Sequence, residues 1–133
     1  MRMSGESSGR PADEVGETTA ADVVRFEVVD HDDAIVIHVS GEIDTLTAPA
    51  LSEQLSRRLP AAPLVVLDLS AVTFLGSAGL AALVAAKEDA AQRGAVLRLV
   101  CGSRIVTRAL EATGLLGLFD VADGVPEALR PSA

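Results

Sequence analysis

Tryptophan and tyrosine are absent from the chain, and phenylalanine occurs three times. A polypeptide so poor in aromatics has little with which to stack nucleobases, and its core must be built from Val, Leu, Ile and Ala. Cysteine occurs once, at Cys101, which excludes an intramolecular disulfide and fits a reducing, cytoplasmic setting. Basic residues are outnumbered: 11 Lys and Arg stand against 19 Asp and Glu, for a formal net charge of -8. Because nucleic-acid backbones require a dense Lys/Arg footprint, no direct nucleic-acid partner is expected, and a protein partner should offer a basic or apolar surface. Apolar runs long enough for a membrane helix, roughly 18 residues, are missing, and residues 1–22 contain no signal-like apolar stretch. A soluble chain with no membrane partner is expected.

What is present suffices for one domain: 133 residues are enough for a single sizeable core and too few for two of ordinary size. Residues 1–22 are rich in Gly, Ser, Thr, Ala and acid and cannot bury enough apolar surface to offset ordering, so they read as a disordered acidic tail ahead of a domain at 23–130. Val23 to Val29 and Ala34 to Val39 alternate as two strands, joined by a hairpin loop at Asp30, His31, Asp32 and Asp33. Pro49 suits a first helical turn, and Leu51, Leu55 and Leu59 recur as a buried stripe with Arg57 and Arg58 facing out, until Pro60 and Pro63 stop the helix.

The stretch that organises the rest is LVVLDLSAVTFLGSAGL at 64–80. Its unbroken apolar start, Leu64 to Leu67, is the mark of a strand covered on both faces, as at the centre of a parallel sheet. The chain then turns through Ser70, and from Gly76 the apolar period becomes helical, with Leu80, Leu83 and Val84 on one face as far as about Arg93. Gly94 caps that helix, Val96 to Val100 forms another strand with Arg98 in its middle, and a third helix from near Ser103 buries Ile105, Val106, Ala109 and Leu110 until Gly114. Leu115 to Val121 reads as an edge strand or packed turn, and Asp123 as the cap of a last short helix holding Pro126. The sum is an α/β domain with a mixed sheet of four to five strands and helical crossovers.

Catalytic chemistry finds little support. A nucleophile elbow at Ser77 needs Gly two residues earlier, where Leu75 stands, and the two histidines, His31 and His38, fall in a loop and mid-strand. Dinucleotide and P-loop glycine patterns are missing, so Gly76 and Gly79 read first as residues that let a helix pack closely on the sheet. Asp30, Asp32 and Asp33 lack the glycine and distal Glu of a calcium loop. No enzyme activity, cofactor or metal is therefore expected. What remains is a hydroxyl, Ser77, at a helix start, where an added phosphate would meet a favourable dipole and bring up to two negative charges.

Two segments together, Val39-Ser40-Gly41-Glu42-Ile43-Asp44-Thr45-Leu46-Thr47 and Val66 to Leu80, resemble the STAS domain of anti-sigma-factor antagonists. The resemblance covers 23 to about 130. It implies a partner-switching regulator of transcription that binds an anti-sigma factor with serine kinase activity, frees a sigma factor, and exists as a monomer or weak dimer. The family's partner surface maps onto Asp44, Thr45, Thr47, Gly76, Ser77, Ala78 and Gly79. Its phosphorylation motif, similar to Asp-Ser-[Ser/Thr]-Gly-Leu, is altered twice: Gly76 stands for the Asp, and Ala78 stands where the phosphorylated hydroxyl should be. Either the chain is an antagonist that the usual kinase cannot switch off, with Ser77 serving as a helix cap, or Ser77 is the acceptor. Other roles for such a domain are a nucleotide-binding sensor and a subunit of a larger signalling assembly.

Overall fold

Residues 24–130 are described by the structure, a computed structural model; the tail expected at 1–22 lies outside them. Strand β1, Val24–His31, pairs antiparallel with β2, Ala34–Ile43. The hairpin is tighter than the sequence suggests: His31 pairs with Ala34, leaving only Asp32 and Asp33 in the turn. Asp30 and His31 extend the strand because the ladder continues to be satisfied up to the turn.

Helix α1, Ala48–Arg58, has Pro in its first turn and ends in a 3₁₀ turn, Leu59–Ala61. Leu51, Leu55 and Leu59 are buried as expected, each contributing about 1.5–3 kcal/mol by leaving water. Arg57 is exposed, whereas Arg58 is half-buried with its Nε covered. Strand β3, Leu64–Leu75, then runs parallel to β2. It does not turn at Ser70. The ladder with β2 slips between the His38 and Ser40 pairs and again between those of Gly41 and Glu42, which carries the pairing on to Ile43 and Leu75. Such irregularities bend a strand without ending it.

Helix α2, Ser77–Arg93, closes at Gly94, whose φ of 72° is the left-handed conformation that a helix C-cap favours and glycine adopts freely. Strand β4, Val96–Val100, joins β3 in parallel. Helix α3, Arg104–Ala112, is capped by Ser103, whose Oγ accepts the Val106 N–H at 3.3 Å. Val106 and Leu110 are buried, but Ile105 lies on the solvent side. A 3₁₀ turn at Leu116–Leu118 leads into a short parallel edge strand, β5, Asp120–Ala122, and a final turn of helix, α4, Val125–Ala128. Gly124, not Asp123, occupies the cap position of α4.

The strand order β1-β2-β3-β4-β5 is sequential, so crossovers of one hand place α1, α2 and α3 on the same face of the sheet. The main core lies there and joins Ile37, Val39, Leu67, Leu69 and Leu99 to Leu51, Leu55, Leu83, Val106 and Leu110. The other face carries a small cluster, Val36, Val66, Val100 and Ala128, sealed by α4. β3 therefore buries alternate residues on both faces, Val65 and Leu67 on one and Val66 on the other, which explains its unbroken apolar start.

Candidate functional site

All three parallel crossovers leave the sheet at the carboxyl ends of their strands, and the β2–α1 and β3–α2 connections lie side by side. Ile43 pairs with Leu75, and the Gly76 N–H donates to the Ile43 carbonyl at 2.9 Å. The two segments singled out in the sequence, 32 positions apart in the chain at the Ile43–Leu75 pair, thus form one edge.

The first connection is wound around Asp44. Its Oδ1 accepts the Leu46 N–H at 2.9 Å and the Thr47 N–H at 3.1 Å, and its backbone carbonyl accepts the Ala48 N–H at 2.8 Å. Thr47 completes the knot: its hydroxyl donates to the Glu42 carbonyl at 2.8 Å and accepts the Asp44 N–H at 2.8 Å. A threonine at 0% exposure with both capacities of its hydroxyl in use holds the turn and presents nothing to a partner. The result is that Leu46 is thrust into water at 79% exposure.

In the second connection Gly76 takes the cap position of α2 in extended conformation, without a side-chain cap. Ser77 is the first helical residue and is exposed, so the capping role suggested by its sequence is not the one it performs. Ala78 is half-buried and packs against the core. Gly79 is buried where a Cβ would stand 2.6 Å from both Ile43 Cγ2 and Leu75 Cδ1, too close for any side chain. It allows the first turn of α2 to rest directly on the ends of β2 and β3, the close-packing role read from the sequence. Phe74, beside Gly76, is 49% exposed. Of the seven sequence-derived positions, Thr45 and Ser77 are exposed, Asp44, Gly76 and Ala78 are half-buried, and Thr47 and Gly79 are internal supports. Leu46 and Phe74 were not singled out in advance. Periodicity marks apolar residues as core, and only the turn after β2 for Leu46 and the slipped end of the β2–β3 ladder for Phe74 show that these two face outward.

The polar groups elsewhere are structural. On the face opposite the main core His38 Nδ1 lies 2.7 Å from Asp68 Oδ2, and Asp68 Oδ1 accepts the Ser70 N–H at 3.1 Å and the Ser70 hydroxyl. Burial works against charge on Asp68, but Ser70 and His38 together outweigh it and hold its carboxyl below the usual carboxylate range. Asp68 stands between Ser70 and His38, so no hydroxyl–imidazole pair forms, and this is not the arrangement of a nucleophile and its base. Burial pushes the Cys101 thiol up, away from the reactive thiolate. Among the described residues no group of three or more His, Cys, Asp or Glu is placed to hold a metal, and no helix is long and apolar enough to cross a membrane.

Comparison with known proteins gives a consistent result. A family model described as the STAS domain matches residues 25–128. The anti-sigma-F factor antagonist RsfB of Mycobacterium tuberculosis is 35% identical over 112 residues, covering 84% of this chain and 91% of that protein. The anti-sigma-B factor antagonist of Listeria monocytogenes is 34% identical over 100 residues, covering 74% and 88% respectively. Among solved structures, an anti-sigma factor antagonist from Mycobacterium paratuberculosis superposes with a TM-score of 0.74 at 37% identity, covering 84% of this chain and 96% of that one.

Proposed function

Because the chain belongs to the STAS domain family, with relatives that are antagonists of anti-sigma factors, we propose that it is itself an anti-sigma-factor antagonist. It acts by binding and not by catalysis. Docking on an anti-sigma factor with serine kinase activity, in the cytoplasm, frees a sigma factor and so controls transcription. The observation that carries this reading is the joined edge of the β2–α1 and β3–α2 connections, with Leu46 and Phe74 exposed beside Thr45 and Ser77. Large apolar side chains exposed along one edge and rimmed by polar residues are the mark of a protein-interaction surface.

Phosphorylation falls on Ser77 in this account. Its hydroxyl is exposed on the first residue of a 17-residue helix and is not engaged in capping. Ala78 offers no acceptor and is half-buried. A phosphate on Ser77 would gain about 0.3–1 kcal/mol from the helix N-terminus. Its two charges would sit in the centre of an apolar contact, which opposes docking. Pull-down of the cognate anti-sigma factor, incubation with ATP and mass spectrometry test both parts. The expected product is the chain phosphorylated at Ser77 and released; a chain that binds but takes no phosphate there is an antagonist without this switch.

A further inference from the structure

The sheet order β1-β2-β3-β4-β5 gives β1 only β2 as a neighbour, so along its outer side alternate residues turn N–H and C=O groups away from the ladder. Natural edge strands are blunted by shortness, a bulge, a proline or a lysine. The far edge follows that rule, for β5 has only 3 residues. β1 does not. It runs 8 residues, VRFEVVDH, without Pro or Lys, and its pairing with β2 is continuous from Val24 to His31 with no shift of register.

Alternation along β1 puts Val24, Phe26 and Val28 on the face of the main core, which they join or pack against, and Arg25 and Glu27 on the other face, where both are exposed. Neither makes an ion pair among the described residues. The run Val24-Arg25-Phe26-Glu27-Val28 is complementary to a reversed copy of itself. A two-fold axis normal to the sheet and through Phe26 sets Arg25 opposite Glu27 of the second copy, Glu27 opposite its Arg25, Val24 and Val28 opposite each other, and Phe26 opposite Phe26. Opposite charges, aromatic pairs and aliphatic pairs placed directly across an antiparallel ladder all favour pairing. No other register of the described strand does this. Residues that face each other must lie on one face of the sheet, so the axis has to pass through a residue. Through Arg25 or Glu27 it sets like charges together, and through Val28 or Val29 it sets Phe26 or Val28 against Asp30.

We propose that β1 is a self-docking edge, at which two copies of the chain join antiparallel through residues 24–28 about Phe26 and extend their five-stranded sheets into one. The interface is isologous and closes at two copies, and the short β5 offers no comparable second edge from which a filament could grow. A ladder over 24–28 buries little surface, so the association is weak and depends on concentration. Because the second β1 runs against the first, the carboxyl-end connections of the two copies point to opposite ends of the joined sheet. The docking edge stays open in both, and the pairing stands or falls independently of the function proposed above.

Exchange of charges in the full chain tests both the pairing and its register. Sedimentation of the unchanged protein at rising concentration is expected to show a monomer–dimer equilibrium. Arg25→Glu alone and Glu27→Arg alone each set like charges across the axis and should weaken dimerisation several-fold. Arg25→Glu combined with Glu27→Arg restores the opposite pairs and should recover it. An equimolar mixture of the two single variants restores them as well, so the mixture should associate more tightly than either variant by itself. Both positions are exposed, and circular dichroism verifies the fold of each variant. A chain that stays monomeric up to about 1 mM, assemblies larger than a dimer, single variants that dimerise as the unchanged protein does, or a folded double variant and a mixture that fail to recover association would each overturn the proposal.

Discussion

Single side chains here do work that their type alone does not announce. Gly79 is fixed by the 2.6 Å that a Cβ would leave to Ile43 and Leu75, so Gly79→Ala must push α2 off the sheet. Overpacking of this kind costs about 1–3 kcal/mol, and chemical denaturation should show that loss although alanine is the better helix former. Asp68 acts through charge. Its folded value lies below its ordinary 3.8, so the folded chain binds the Asp68 proton less readily than the unfolded one. The stability it contributes is fully present above 3.8 and is lost as pH falls through the lower folded value. Denaturation midpoints measured from pH 6 downward should therefore fall less steeply for Asp68→Asn than for the unchanged protein in the window below about pH 4.

At the level of elements, the sheet ends are secured by means that differ from one side to the other. On the face covered by α4, Arg98, at 7% exposure, donates from Nε to Asp120 Oδ2 at 2.8 Å and from Nη1 to the carbonyls of Ala128 and Arg130 at 2.8 and 3.0 Å. A buried guanidinium thereby ties β5 and α4 to β4. Arg98→Met keeps most of the volume but leaves those carbonyls without their donor, at a cost of about 1–3 kcal/mol. Hydrogen exchange should show protection lost first at 125–130, while the amides of β2 and β3 stay protected. The helices and the strands of the main core were legible in the sequence, because Leu51, Leu55 and Leu59 repeat at helical spacing and Leu64 to Leu67 form an unbroken run. The continuation of β3 past Ser70 was not. It depends on slips in the β2 ladder that no local propensity records. The cap of α4 at Gly124 and the solvent-facing Ile105 were missed for a similar reason: neighbours, not residue type, decide them.

For the whole molecule, sequential strand order puts three helices on one face and gathers the connections after β2, β3 and β4 at one edge. The candidate site is legible as two motifs in the sequence, yet their roles separate only in three dimensions: Thr47 and Gly79 build the edge, and Leu46, Phe74 and Ser77 are presented by it. Asp44 shapes the turn through two backbone N–H groups, so replacing it would disturb fold and docking together. Leu46 is the cleaner probe, since at 79% exposure its side chain supports little else. Val96, 40% exposed at the start of β4 on the opposite edge, is its matched control. Titrating the captured anti-sigma factor by calorimetry into Leu46→Glu and Val96→Glu proteins of verified fold is the most direct test. The expected outcome is at least a tenfold loss of affinity, about 1.4 kcal/mol, for Leu46→Glu and no change for Val96→Glu; equal affinities for the two would contradict the assignment of this edge as the docking surface.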